Sequence, residues 1–206
     1  MTLAAERVRE AEEQIRCGLD AEQGRAVLTA KFAQLARDHQ DGGHCVDPAL
    51  FDKVRDKAVR ASEKAIAKTE QPGLSLLKQL NRSTWKYELV PEAAIMRIPT
   101  RERYAAPLYL DWGGWDAGTP SSHELAAVAR YWQETYGAEL VAFSPHEIEF
   151  TVARKPTNHV EVVALLKEQY AFAPNMRWFD YNKRDLDLLQ VDATELRLFN
   201  TWEFWW

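Results

Sequence analysis

The stretch Glu139-Leu-Val-Ala-Phe-Ser-Pro-His-Glu-Ile-Glu-Phe-Thr-Val-Ala153 decides how this chain folds. Two apolar runs, residues 139–143 and 147–153, flank Ser144-Pro-His146, whose length and turn chemistry read as a hairpin. In the second run Ile148, Phe150 and Val152 alternate with Glu147, Glu149 and Thr151, so one face is expected to be buried and the other wet. Helical periods lie on either side. Residues 120–136 place Leu125, Val128, Ala129 and Trp132 on one face, with Ser121 or Ser122 as the cap and Gly137 as the stop. Residues 158–172 turn Val162 or Val163, Leu166 and Tyr170 inward and end before Pro174.

Working outward, residues 108–112 read as a strand halted by Gly113-Gly114, and Trp202, Phe204 and Trp206 alternate with Glu203 and Trp205 as a last strand would. Residues 175–199 are mixed, with a short helix expected over 193–198. The sum is an α+β fold, a ferredoxin-like βαββαβ domain over residues 107–206 with both helices on one face of the sheet. Its aromatic tail is expected to be essential, because burying each large apolar side chain is worth about 1.5–3 kcal/mol.

The preceding residues form a helical region, 1–83, and an extended connector, 84–106. Ala4, Val8, Ala11 and Ile15 make one apolar stripe, ending near Gly18. Asp20 is the expected N-cap of a helix to about residue 39 that buries Leu28, Phe32, Leu35 and Ala36. Asp47-Pro48 starts a third helix, expected over 48–70. At 100° per residue its apolar face is Phe51, Val54, Ala58, Ala61 and Ala65. Lys53, Lys57, Arg60, Lys64 and Lys68 form a basic stripe on which an acidic partner could dock, and Asp52, Asp56, Glu63 and Glu70 lie beyond it. A short helix is expected over 74–80. In the connector Trp85, Tyr87 and Leu89 alternate as a strand, and Arg101 and Arg103 flank Glu102.

With 26 basic and 31 acidic residues, the chain has a net charge of −5, which offers no general attraction to phosphate backbones or anionic membranes. Cys17 and Cys45 are the two cysteines, too few for a disulfide framework, and no stretch approaches the ~20 apolar residues of a membrane span. The expected setting is the cytoplasm, with neither nucleic acid nor membrane as partner. His44-Cys45, His123-Glu124 and His146-Glu147 are pairs without a third ligand at metal spacing, so no metal or other cofactor is implied. Gly113 and Gly114 do not bracket a serine, and no glycine-rich phosphate loop is present.

Five segments point to a family. Asp111-Trp-Gly-Gly-Trp-Asp116, Tyr131-Trp-Gln-Glu-Thr-Tyr-Gly-Ala-Glu-Leu140, Val152-Ala-Arg-Lys-Pro156, Glu168-Gln-Tyr-Ala-Phe-Ala-Pro-Asn175 and Trp202-Glu-Phe-Trp-Trp206, in that order, resemble the bacterial domain of unknown function 4253 family over about residues 107–206. The chain departs from the family pattern at Ala173, Asn175 and Asp116, where cysteine, aspartate and asparagine are common. The resemblance implies a small bacterial cytoplasmic domain and no particular reaction.

Two function classes follow. One is a protein-interaction module, an immunity protein or antitoxin that neutralises a toxin, with the N-terminal helices free to serve that partner or a homodimer. The other is an enzyme or small-ligand binder at the end of the first expected strand, where Trp112, Trp115 and Asp116 would face Tyr170 and Asn175. The first is the reading taken from the sequence.

Overall fold

The computed structural model describes residues 5–41, 45–66, 78–81, 86–89, 94–113, 118–174 and 185–206. The fold is α+β, a three-stranded antiparallel sheet with helices packed on it.

The hairpin forms as read. Strands β3 (Ala138–Phe143) and β4 (Glu147–Val152) pair antiparallel with an irregularity between Leu140 and Ala142, and β5 (Thr201–Trp205) adds to the other side of β4. In that register Ile148 faces Phe204 and Phe150 faces Trp202, so the aromatic tail closes one edge of the sheet on its apolar face. The other face is not wholly wet: Glu149, on the central strand opposite Ala142 and Glu203, is buried.

Helix α5 (Ser122–Tyr136) lies over the apolar face and carries Trp132, which is fully buried. Its ring stacks on Phe204 at 5.3 Å and meets Phe150, Phe172 and Trp202 edge-on at 5.6, 5.0 and 5.5 Å. Such edge-on and offset contacts satisfy the ring quadrupoles while excluding water. Phe172 arrives on α6 (His159–Phe172), whose N-cap Asn158 accepts from the Glu161 amide. Ser121 and Glu124 form a full capping box on α5, and Gly137 ends that helix at φ 62. The expected helix over 193–198 is the last part of a longer one, α7 (Asp185–Leu198), with Leu189, Ala193 and Leu196 buried.

The segment after β4 finishes two of these helices. Arg154 donates to the carbonyls of Gln133, Glu134 and Thr135 at the end of α5, and the Lys155 ammonium donates to the Leu198 carbonyl at the end of α7, at 2.7 Å. Cations there satisfy acceptors that have no partner within the helix and oppose its negative end.

Three expectations are corrected. Residues 108–112 are not a strand: Ala106–Leu110 is a short helix, α4, with Pro107 in its first turn, and Asp111 ends it in the left-handed region at φ 52. The first strand of the βαββαβ order is therefore a helical turn, and the described sheet is β3-β4-β5. The helix expected over 48–70 is broken. Pro48–Lys53 is a 3-10 segment capped by Asp47, Val54 has an extended ψ of 128, and α3 runs Asp56–Ile66. The break shifts the helical phase, so Phe51, Val54 and Val59 are buried while Ala61 is exposed. Residues 78–80, expected to be helical, belong to β1 (Lys78–Asn81), paired antiparallel with β2 (Lys86–Leu89); the rest of the expected 74–80 helix lies outside the described residues.

Helix α1 (Ala5–Arg16) buries Ala11 and half-buries Val8 and Ile15, as its stripe predicts. Helix α2 (Ala21–Gln40) begins with the expected Asp20 cap, reciprocated by Gln23. It packs along α5 and α6, and its Leu28 and Leu35 join one core cluster with Trp132 and Phe172. The close approach is made at Gly24, where a Cβ would collide with the Ala127 carbonyl.

Candidate functional site

The first site proposed from sequence begins where α4 ends. Trp112 is buried, its indole N–H donates to the Ser144 carbonyl at 2.8 Å, and its ring meets Phe143 and Trp206 edge-on. Gly113 follows at φ 116, with the Pro120 carbonyl occupying the space a Cβ would need. Trp206 links Trp112 to Phe172, its ring centroid 5.5 Å from the first and 5.2 Å from the second. Tyr170 belongs to different contacts: it is fully buried, meets Phe51 edge-on at 5.5 Å, and donates to the Asp192 carboxylate at 2.5 Å. Trp115, Asp116 and Asn175 lie outside the described residues.

The basic stripe is divided. Lys53 ends the 3-10 segment while Lys57 and Arg60 lie on α3, all three exposed; Arg60 pairs with Asp56 at 2.6 Å. The Lys64 side chain and Lys68 lie outside the description. Of the acidic residues beyond the stripe, Asp56 and Glu63 meet α7 and Asp52 meets Lys167 on α6, while Glu70 lies outside the described residues. Arg197, with a side chain only 15% exposed, lies 3.7 Å from Asp56 and pairs with Glu63. Arg60, which donates a hydrogen bond to it, holds the Asp56 carboxyl below its usual range, with His159 and Arg197 adding to the effect.

A second constellation was not legible from sequence. Glu168 on α6 reaches α5, where one carboxylate oxygen accepts from the Tyr131 hydroxyl at 2.8 Å and the other from the Trp132 indole at 3.0 Å. Burial pushes the Glu168 carboxyl above its ordinary value, against the opposing effects of those two donors and of Arg25. Burial also pushes the Tyr131 hydroxyl up to about 12, with the Glu168 charge adding to the shift. Tyr136 is raised for the same two reasons. The carboxylate lies among inward-facing apolar positions of α6, which was the available signal, but its partners are 36 and 37 residues away.

Tyr131 also lines an open groove of about 750 Å³ between α2 and α5. Ala26, Ala30 and Ala33 give it an apolar wall of small, exposed side chains, with Glu22, Arg25 and Glu134 as its charged members. Elsewhere the reactive residue types are quiet. Burial, helped by the charge of Asp38, pushes the Cys45 thiol up, so it is held as a neutral group beside the Leu35 carbonyl. Among the described residues no group of three His, Cys, Asp or Glu is placed to hold a metal ion, and no helix is long and apolar enough to cross a membrane.

A family model described as Domain of unknown function (DUF4253) matches residues 94–206. The chain belongs to the DUF4253 family. No curated protein and no solved structure matches it. Within the DUF4253 match, the segments that carried the resemblance do identifiable structural work: Trp132, Phe172, Trp202 and Phe204 make the aromatic seam, Gly137 ends α5, and Arg154-Lys155 seal two helix ends.

Proposed function

We propose that the chain is a protein-interaction module that takes one helix of a partner protein in the groove between α2 and α5. The observation that supports this is the groove itself, an apolar wall of Ala26, Ala30 and Ala33 bordered by Glu22, Arg25 and Glu134. An apolar centre with a polar border is the anatomy of a specific interface. Small side chains let a third helix come close, since interaxial distance is set by the residues at the contact. The groove joins a helix outside the DUF4253 match to one inside it, so the N-terminal region would specialise this member.

The finer reading is an immunity protein or antitoxin, working in the cytoplasm on a toxin encoded beside it. Such a protein needs a surface and no active site, which agrees with a Cys45 thiol held neutral and a Trp112 indole committed to Ser144. Co-expression with the neighbouring gene product should yield a complex and relieve any toxicity. Ala30→Trp, at an exposed position, should abolish both while leaving the melting temperature unchanged. Absence of complex and rescue in the unaltered protein would refute the reading.

A further inference from the structure

On another part of the molecule, the 3-10 segment Pro48–Lys53 and Val54 meet the first turns of α6 around an open pocket of about 380 Å³. Phe51 and Val54, both core residues, and Val163 give it apolar walls. Lys167 stands at its polar side, paired with Asp52 at 2.8 Å and 5.9 Å from the centroid of the Phe32 ring. His159 also lines it.

Two independent features there are unusual. Among the described residues the His159 Nδ1 is buried and has no hydrogen-bond partner, and a buried polar atom in that state calls for an explanation. Val160, also at the pocket, is 77% exposed, a large apolar side chain left in water beside an apolar cavity. We propose that this pocket binds a small organic carboxylate with an apolar body. The body would cover Val160 and pack on Phe51, Val54 and Val163, its carboxylate would meet the Lys167 ammonium, and the His159 ring, whose Nδ1 is closed to solvent, would turn to supply a further hydrogen bond.

The pair already made by Lys167 does not block this role. The Asp52 side chain is 74% exposed, and exposed pairs are typically worth only about 0–1 kcal/mol, so a ligand carboxylate can share or replace it. The pocket volume lies in the range of small-molecule sites, roughly 300–1,000 Å³, which are mostly apolar with a few placed polar groups. This inference does not depend on the α2/α5 groove and would survive its failure.

Phenylacetate is the probe. Titrated into the full chain and followed by the methyl resonances of Val160 and Val163, it should bind saturably with a Kd on the order of 1 mM or tighter. Phenylacetamide, the uncharged analogue, should bind at least about tenfold more weakly, a difference of about 1.4 kcal/mol. Lys167→Met should cost about the same factor, and Asp52→Asn, which removes the competing carboxylate, should tighten binding about threefold. Equal affinity for phenylacetate and phenylacetamide, or no saturable shift, would overturn the proposal on the unaltered protein, whatever the variants do.

Discussion

The seam around Trp132 and the crossing of α2 over α5 seal the same core in opposite ways. At the first, five large rings fill space by bulk; at the second, Gly24 brings two backbones together by offering no side chain. A seam of rings suffers when atoms are removed, and a crossing of small residues suffers when atoms are added. The small residues that allow the second also leave its outer side open, where the alanines of α2 line the groove. Bulk closes the part of the molecule shared with the family, and smallness opens the border between that part and the helix α2 that precedes it.

The sharpest way to break this comparison is to remove the last strand. A chain ending at Thr201 loses the buried Trp202 and Phe204, and should fail to fold cooperatively; a soluble truncation with a single melting transition would mean the seam is dispensable. Adding one methyl at the crossing comes next. Gly24→Ala should cost about 1–3 kcal/mol in denaturant titration, since the backbone carbonyl of Ala127 must be displaced. At an ordinary helical site the same change would instead stabilise by roughly 0.5–1 kcal/mol, so the sign alone tests the geometry. A smaller effect is expected away from both seams. Arg154→Ala should cost about 1–2 kcal/mol and fray the end of α5, seen as faster hydrogen exchange of its last turn.

The smallest effect is a slope. Because Glu168 has a higher pKa folded than unfolded, its contribution is fully present below the ordinary carboxylate pKa and is lost as pH rises through the raised folded value. The stability of the unaltered protein relative to Glu168→Gln should therefore fall as pH rises above the ordinary glutamate range of about 4, measured by thermal melts. A rising difference would mean that the bonds from Tyr131 and Trp132 outweigh burial.

Features carried by neighbouring residues were legible in the sequence. Asp20 caps its helix as expected, Ser121 is the one of the two expected serines that caps α5, and the hairpin with its alternating Ile148, Phe150 and Val152 needs no distant information. Alternation in the tail likewise placed Trp202 and Phe204 on the buried face of a strand. Short segments were lost where local signals compete. Leu108-Tyr-Leu has strand-like side chains, yet Pro107 pre-sets a helical φ in a first turn that lacks amide partners in any case. Around Val54 a continuous helical period concealed a break, because periodicity counts side chains and cannot register one extended ψ. Of the site residues, Trp112 and Tyr170 were expected to face each other, but the partners that define them, Ser144 and Asp192, are 32 and 22 residues away. Glu168 was missed for the same reason.

The adjacent Arg154 and Lys155 couple two distant helix ends. Two neighbouring side chains close the ends of helices that lie on opposite sides of them in the chain, one completed before the hairpin and one long after it. Gly137 and Phe199 also donate to carbonyls at these two ends, so the cations add to backbone seals already made there. Any opening that withdraws residues 154 and 155 therefore removes the side-chain bonds at the ends of α5 and α7 in one event.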